Sequence, residues 1–311
     1  MFNKYLDPKN DVAFKRIFGT EKNKDILIHF LNDIITCNKR PAIKNVTFLR
    51  TVQDPDIAAH KTSIVDILCV DEKETRYIVE MQVAKEKGFE KRAMFYAAKA
   101  YTAQMIVGGE YDDLKEVIFL AIADFTMFPH RTGYKSEHVI LEKDTHDHDL
   151  KDFSFTFLEL PKFHKKIDEL SSMTDKWMYF FKHAYETSRE DWDKLAEGDA
   201  SLKNAYKELD QHYWNEEEML TYDQAIKNAW VEKARRDQKF DEGIDKGREE
   251  GREEGREEGI KKVAKNLVSQ GIDFEVIASV SGLTQEDITA LLSQEDPDEA
   301  MVKEVDSKLG G

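Results

Sequence analysis

Residues 63–83 read SIVDILCVDEKETRYIVEMQV and predict a β-hairpin that carries one carboxylate in each strand. The segments 63–70 and 76–83 are rich in Val, Ile, Leu and Tyr, which favour β-strands, and a charged turn separates them. Asp66 and Glu80 stand among these apolar residues, where a buried strand ordinarily carries an apolar side chain. The hairpin therefore predicts either a functional pair of acids or two acids on a solvent-facing edge.

The register of the hairpin decides whether the two acids meet. With the turn centred on Lys73, residues equidistant from it face each other, so Asp66 opposes Glu80. Directly opposed β carbons lie about 5 Å apart, where like charges destabilise a sheet unless a cation lies between them. Mg²⁺ suits such a pair because it takes carboxylate, carbonyl, water and phosphate oxygens as ligands. A register shift of one residue would separate the acids and leave an ordinary strand.

The remaining pattern predicts an α/β fold with a mixed central sheet flanked by helices. A nearly continuous apolar run, residues 115–128, predicts a strand that is buried on both faces. Residues 130–152 are polar and predict an irregular connection, and beyond about residue 187 the sequence predicts helices and no strand. The other predicted core elements are helices at 11–18, 24–36 and 88–107 (ended by Gly108 and Gly109), a helix that begins at 175, and a strand at 154–160.

Taken in order along the chain, these segments resemble a nuclease family. The spacing from Asp66 to Glu80-Met81-Gln82 resembles the PD-(D/E)XK nuclease core in its Glu-x-Gln variant. More closely, the chain resembles the Rpn family of bacterial recombination-promoting nucleases and transposases, over most of the first 190 residues. The matching segments are NDVAFKRIFG (10–19), KTSIVDILCVDEKETRYIVEMQ (61–82), RAMFYAAKAYTAQMIVGGEYDDLKEVI (92–118), ELPKF (159–163) and the Gly-rich charged tail.

The resemblance implies a fold, a reaction and a set of metal ligands. It implies a restriction-endonuclease-like PD-(D/E)XK core that hydrolyses DNA phosphodiester bonds with Mg²⁺ or Mn²⁺. Asp66 and Glu80 would be metal ligands, with the Met81 carbonyl as a third. Gln82 stands where most of the superfamily has Lys, and its neutral amide supplies no charge. We therefore expect Gln82 to orient the attacking water by hydrogen bonds, while metal ions neutralise the phosphate.

One face of the predicted helix 88–107 is typical of a phosphate-backbone contact. Arg92, Tyr96 and Lys99 share this face because they fall at i, i+4 and i+7. Ordinary solvation of a charged helix explains the same pattern, so both interpretations stay open. Tyr101 and Gln104 are weaker candidates on the same helix.

The first helix carries two further weak candidates, Asp11 and Lys15. Asp11 is predicted mainly as the N-cap of this helix. In the wider superfamily, however, an acid on the first helix often approaches the metal. Lys15 and Arg16 either add positive charge near DNA or only solvate the helix.

Several other chemistry-bearing residues are disfavoured as sites. A literal Pro55-Asp56 dipeptide is a rival to Asp66, but it lies in a polar stretch with no strand to aim it. The histidines and cysteines do not fall at the spacing of a zinc site or a disulfide framework. They are His130, His138, His146, His148, Cys37 and Cys69.

Composition excludes several classes of protein. No apolar stretch approaches the roughly 20 residues of a membrane span, and the polar N-terminus lacks the apolar region of a signal peptide. We therefore expect a reduced, cytoplasmic protein without a membrane partner. A net charge of −16 argues against nonspecific DNA binding, but residues 240–311 carry 19 acids and 9 bases and account for −10 of it. The first 239 residues carry only the remaining −6, so the net charge is compatible with a local basic channel.

The organisation of the 311 residues predicts a nuclease domain at 1–187 and a helical segment at 188–239. A Gly/Arg/Glu repeat at 240–260 follows, as a helix or a charged spacer, and its five glycines would cost a helix about 4 kcal/mol relative to Ala. A small helical domain at 261–311 is predicted as three short helices broken at Gly271 and Gly282. Its acidic helix start repels phosphate, which favours protein contacts, including a homodimer or higher homo-oligomer.

The predicted function is a Mg²⁺-dependent DNA endonuclease linked to recombination, mobile elements or defence against phage DNA. Two alternatives stay open. One is a catalytically weak nuclease-like scaffold for protein partners, which the neutral Gln82 and the acidic composition favour. The other is a transposase that also performs strand transfer.

Overall fold

A computed structural model describes residues 4–35, 40–53 and 63–293 of the chain. These residues form two compact units that divide between Asn228 and Ala229. Within the described ranges, no helix is long and apolar enough to cross a membrane. The predictions that concern Cys37 and Asp56 fall outside those ranges. The predicted domain boundaries at residues 187, 239 and 260 stay predictions.

A mixed sheet of six strands forms the centre of the first unit. The strands of the chain are β1 (Val46–Phe48), β2 (Val52–Gln53), β3 (Ser63–Ile64), β4 (Ile67–Asp71), β5 (Arg76–Gln82), β6 (Val117–Ala123), β7 (Lys135–Val139) and β8 (Phe153–Glu159). The order in the large sheet is β1-β4-β5-β6-β8-β7, and β2 pairs with β3 separately. Strands β5, β6 and β8 are parallel, and their neighbours on both sides are antiparallel. All seven residues of β6 are buried, which confirms the strand predicted from the run 115–128.

Helices cover both faces of this sheet. The helices of the described chain, in both units, are α1 (Asp11–Phe18), α2 (Lys24–Ile34), α3 (Phe89–Thr102), α4 (Met173–His183), α5 (Arg189–Ala196), α6 (Ala200–Leu209), α7 (Glu216–Ser269), α8 (Phe274–Ser281) and α9 (Gln285–Ser293). One face packs against α1, α2, α4 and α6 through a cluster of large aromatic side chains that includes Phe18, Phe30 and Trp177. The other face packs against the small residues of α3, namely Ala93, Ala97 and Ala100. These alanines let α3 pack closely against the sheet.

Helix α1 begins one residue away from its predicted cap. Asn10, not Asp11, is the N-cap, because its side-chain oxygen accepts the Val12 N–H at 2.9 Å. The prediction of Asp11 as the cap is therefore wrong. Asp11 is the first helical residue, and its carboxylate is left for other contacts.

Helix α3 ends at Thr102, earlier than the predicted range 88–107. The side chain of Gln104 donates to the Lys115 carbonyl at 2.8 Å and accepts from the Lys115 N–H at 3.0 Å. These two bonds tie the chain to the segment that leads into β6, so the helix does not continue to Gly108. This contact spans eleven positions of sequence and lies outside any helical periodicity.

Strand β7 lies in the segment 130–152, which was predicted to be irregular. That prediction is wrong for Lys135–Val139, which pairs antiparallel with β8 at an edge of the sheet. Only Ser136 of the five side chains is buried. Edge strands are commonly polar, because backbone hydrogen bonds rather than an apolar face hold them in place. Because β7 has no regular apolar face, the pattern of apolar residues could not predict this strand.

The described residues of the second unit form helices joined by short turns, with no strand among them. Helix α7 is 54 residues long and runs through the Gly/Arg/Glu repeat. It is followed by α8 and α9, and the chain breaks at Gly271 and Gly282 as predicted, where both glycines adopt the left-handed conformation. The first of the three predicted short helices is instead the end of α7. A small apolar cluster of Ala264, Ile277 and Ile288 holds these helices together.

Candidate active site

The hairpin of β4 and β5 has the predicted register. Ile67 pairs with Val79 and Leu68 with Ile78, so the two strands are centred on Lys73. One residue beyond this ladder, the Asp66 N–H donates to Glu80 Oε1 at 3.3 Å. Only 5% of Glu80 is exposed, and the side chain of Asp66 is 19% exposed. The structure thus brings the two predicted acids together in a largely buried position.

The first predicted strand, 63–70, is interrupted at Val65 and Asp66. Asp66 Oδ2 accepts the Met81 N–H at 2.9 Å, and the Val65 N–H donates to the Thr51 carbonyl at 3.2 Å. In an unbroken antiparallel ladder, Val65 and Met81 would have exchanged these bonds. The carboxylate of Asp66 takes the place of a backbone carbonyl, which accounts for an acid inside an apolar run.

The Met81 carbonyl points to the side of β5 on which Asp66 lies. The Gln82 carbonyl accepts the Asp124 N–H at 2.9 Å, on the side of β6. Backbone groups of successive strand residues point in opposite directions, so those of Met81 point toward β4. The Met81 carbonyl and the carboxylates of Asp66 and Glu80 therefore meet at the end of the hairpin.

The environment of the two acids opposes their charges. Burial raises the pKa of Glu80 to about 8, and the negative charge of Asp66 adds to this shift. Burial also raises the pKa of Asp66, although its hydrogen bond from Met81 and the charge of Lys15 work in the other direction. Two carboxyl groups in this state favour a proton or a bound cation between them.

Two residues of α1 reach the same place. Lys15 Nζ lies 3.7 Å from Asp66 Oδ1 and 2.6 Å from Asp11 Oδ1. The carboxyl group of Asp11 also raises the pKa of Asp66, through its charge and a hydrogen bond. The weak candidates Asp11 and Lys15 thus both adjoin the acidic pair. Within the described ranges, no group of three or more His, Cys, Asp or Glu side chains has the geometry of a metal site.

Gln82 is held by two hydrogen bonds of its side-chain amide. Its Nε2 donates to the Ala84 carbonyl at 2.9 Å, and its Oε1 accepts from Arg92 Nη2 at 2.5 Å. Arg92 Nη1 also donates to Glu86 Oε2 at 2.5 Å. The ring of Tyr96 lies 5.9 Å from this guanidinium. Gln82, Arg92 and Tyr96 therefore form one group beside the acidic pair.

Three other predicted residues lie farther along the chain, Lys99 and Tyr101 on α3 and Gln104 just beyond its end. Lys99 is seven residues beyond Arg92, or about 10 Å along the helix axis. The Tyr101 hydroxyl donates to Asp152 Oδ2 at 2.5 Å, just before β8, and Gln104 binds Lys115, just before β6. These contacts lie at the amino ends of the parallel strands, about 20 Å from their carboxyl ends. The structure does not bring Tyr101 and Gln104 to the acidic pair.

Arg16 is directed into the protein. It donates to Glu208 Oε2 at 3.0 Å and to the Tyr213 carbonyl at 2.9 Å, and it forms an ion pair with Glu218. Its guanidinium carbon lies 4.5 Å from the ring of Trp214. Arg16 therefore stabilises the fold and is not directed toward a DNA-facing surface.

Sequence reasoning missed two charged pairs at the carboxyl ends of the parallel strands. Lys9 Nζ lies 2.8 Å from Asp124 Oδ2, and Asp124 is the first residue after β6. Glu159, the last residue of β8, is fully buried and pairs with Lys162 at 2.6 Å. An acid directly after a buried strand was the available signal, since ligand sites of parallel sheets gather at this edge.

A family model described as PD-(D/E)XK nuclease family transposase matches residues 8–239. The chain belongs to this family. The match contains the whole acidic site, and with the mixed sheet flanked by helices it confirms the predicted α/β nuclease fold and the resemblance to the Rpn nucleases and transposases. No curated protein and no solved structure shows significant similarity to the chain.

Proposed function

We propose that this chain is a metal-dependent DNA endonuclease that hydrolyses phosphodiester bonds. Membership of the PD-(D/E)XK nuclease family transposases supports nuclease or transposase chemistry in general. The observation that carries the finer proposal is the buried contact between Asp66 and Glu80. Asp66 raises the pKa of the buried Glu80, and a divalent cation bound between the two carboxylates relieves this repulsion.

The groups at the end of the hairpin fit Mg²⁺ or Mn²⁺. Asp66, Glu80 and the Met81 carbonyl would hold the ion, and an oxygen-only set with two carboxylates is what Mg²⁺ prefers. When bound, such an ion lowers the pKa of water and neutralises charge on a phosphate. Lys15 holds the Asp66 carboxylate from the side of α1, and Arg92 and Tyr96 present a surface for the DNA backbone.

A nicking assay on supercoiled plasmid DNA tests this proposal. We expect the wild type to cut with Mg²⁺ or Mn²⁺ and not with a chelator. Asp66→Asn and Glu80→Gln should each lower the rate by about 10³-fold or more, since each removes a charged ligand without changing side-chain volume. The control is Asp144→Asn, an exposed acid in the connection between β7 and β8, which should cut like the wild type. A wild type that fails to cut DNA with every divalent cation tested would overturn the proposal.

The family description also favours a transposase that joins strands after cutting them. A plain nuclease leaves only cut ends, whereas strand transfer leaves covalently joined products. Recovery of joined molecules from two labelled DNA substrates would favour the transposase. Intact DNA together with capture of protein partners would favour the nuclease-like scaffold. A role in recombination, mobile elements or phage defence belongs to the same proposal.

We further propose that the C-terminal region mediates self-association into a homodimer or higher homo-oligomer. Exposed apolar side chains on α7, among them Trp230, Phe240 and Ile244, support this assignment. Removing residues 240–311 should lower the sedimentation coefficient to that of a monomer and lower the activity. An unchanged assembly state and unchanged activity would rule out this role.

A further inference from the structure

Gln82 acts as an acceptor in this structure, and the group that it orients is a guanidinium. Its amide oxygen receives Arg92 Nη2 at 2.5 Å, and its amide nitrogen is turned away to the Ala84 carbonyl at 2.9 Å. Gln82 and Glu80 lie two residues apart on β5, so both side chains project from the face that α3 covers. The guanidinium therefore lies on the same side of the sheet as the Glu80 carboxyl group.

The position of Arg92 is not the one that packing alone would favour. Its Nε atom is buried without a hydrogen-bond partner among the residues that the structure describes. A buried donor in this state destabilises the folded protein. The side chain is held instead by Gln82 and Glu86 and by the ring of Phe89, 4.8 Å from the guanidinium carbon. A held but incompletely satisfied guanidinium is typical of a group placed for a ligand.

One edge of this guanidinium can be exchanged for a ligand at little cost. Its partner Glu86 is exposed over 49% of its side chain, and ion pairs of this exposure contribute little free energy. A phosphate oxygen can replace the Glu86 carboxylate while Gln82 keeps the other nitrogen in place. Arginine suits this role because its planar fork stays charged at every relevant pH and pairs with phosphate through two parallel bonds.

We propose that Arg92 is the cationic catalytic residue of this site, that it contacts the scissile phosphate, and that Gln82 is the positioning residue that holds it there. The inference rests on the proposed nuclease function and deepens it. The positive charge that most of the superfamily carries on a strand lysine is supplied here from helix α3, ten residues farther along the chain. The neutral Gln82 then serves as a hydrogen-bond acceptor that holds Arg92 in place, which a lysine at this position could not do.

A charge-exchange experiment tests the pairing of the two residues. Arg92→Ala should lower plasmid nicking by about 10²–10³-fold, the range measured when one preorganised charge-stabilising group is removed. Adding Gln82→Lys to Arg92→Ala should restore at least tenfold of the lost rate, because a lysine at this strand position carries the missing charge itself. Arg131→Ala makes the same chemical change at an exposed position in another part of the chain and should leave nicking unchanged.

DNA binding without any divalent cation gives a second readout that does not depend on cutting. Arg92→Ala should lower by about one the slope of log affinity against log salt concentration, because one phosphate contact is lost. Gln82→Ala should lower nicking and weaken binding in the same direction. If Arg92→Ala lowers the melting temperature, the Arg92→Gln variant is used in both assays in place of Arg92→Ala. The glutamine keeps hydrogen-bonding capacity without the charge.

The outcomes separate this inference from the proposed function. Normal nicking by Arg92→Ala, or no rescue by Gln82→Lys, overturns the role of Arg92 while the nuclease proposal stands. If the wild type fails to cut DNA with every divalent cation tested, the nuclease proposal fails, and the salt slope then decides whether Arg92 contacts phosphate. An unchanged slope overturns that contact.

Discussion

At the scale of single residues, Glu80 is held in a place that disfavours its charge. It is almost fully buried and faces a second carboxyl group, Asp66, whose N–H is one of its few compensating contacts. A carboxylate in this position destabilises the folded protein unless it is protonated or bound to a cation. Ligand binding and stability are therefore coupled at this residue.

Glu80→Gln should stabilise the metal-free protein at alkaline pH. The folded state raises the pKa of Glu80 from 4.5 to about 8, so between these values it holds more protons than the unfolded state. The free energy of unfolding of the wild type therefore falls as the pH rises through this window. The glutamine does not titrate, so at about pH 8 the variant should be more stable by roughly 1–3 kcal/mol, and the difference should shrink toward pH 5. Denaturant unfolding in the presence of a chelator measures it.

The matched control is Glu254→Gln, the same substitution at an exposed position of α7. This variant should have the same free energy of unfolding as the wild type at both pH 5 and pH 8. Saturating Mg²⁺ should raise the melting temperature of the wild type and not that of Glu80→Gln, because a ligand stabilises only the state that binds it. A variant that is less stable than the wild type at alkaline pH would contradict the buried repulsion.

At the scale of elements, helix α1 carries two adjacent cations with different tasks. Lys15 faces Asp11 and Asp66, at the site. Arg16 faces the segment around α6, where it pairs with the buried Glu208 and stacks on Trp214. One short helix thus connects the acidic site to the packing of the helical layer.

Arg16→Ala should destabilise the fold far more than Lys15→Ala. Removing Arg16 leaves Glu208, which is 8% exposed, with Lys22 as its remaining ion-pair partner, and breaking a buried pair costs about 3–5 kcal/mol. Lys15 and Asp11 are exposed by 41% and 57% of their side chains, so Lys15→Ala should cost less than about 1 kcal/mol. Urea unfolding of both variants measures the difference. Equal losses would mean that Arg16 is not part of a buried pair.

At the scale of the whole molecule, the long helix α7 is the element with the least support from packing. Its residues from 229 to 259 are exposed almost without exception, and a β carbon added at any of its five repeat glycines would meet nothing within 4 Å. Each of these glycines weakens the helix by about 1 kcal/mol relative to alanine. The repeat region is therefore expected to open more readily than the nuclease fold.

Replacing Gly247, Gly251 and Gly255 together by alanine should strengthen this helix. There is room for each added methyl group, so the gain in helix propensity is not offset by a clash. Slower amide hydrogen exchange across residues 243–259 would show the effect. Gly271→Ala is the opposing control, because its φ of 77° is one that alanine adopts only with strain. Faster exchange in the triple variant would contradict a solvent-exposed helix.

Several features of the fold could be read from local sequence. Asp11–Phe18 matches the predicted helix in both bounds, and the hairpin register follows from the turn around Lys73. Three features could not be read, because each depends on a contact between distant segments. The break at Asp66 requires Thr51, the end of α3 requires Lys115, and β7 is held by its pairing with β8.

The sequence by itself determined that Asp66 and Glu80 oppose each other, because a short turn leaves a hairpin one register that buries its apolar face. Only the tertiary structure decided which cations stand beside them. Lys15 arrives from a helix 51 residues earlier, and Arg92 from a helix on the other face of the sheet. Side-chain pairing across packed elements depends on how whole helices dock, and no local pattern of residues encodes it. The docking of α3 places Arg92 beside Gln82, whose neutral amide carries no positive charge of its own.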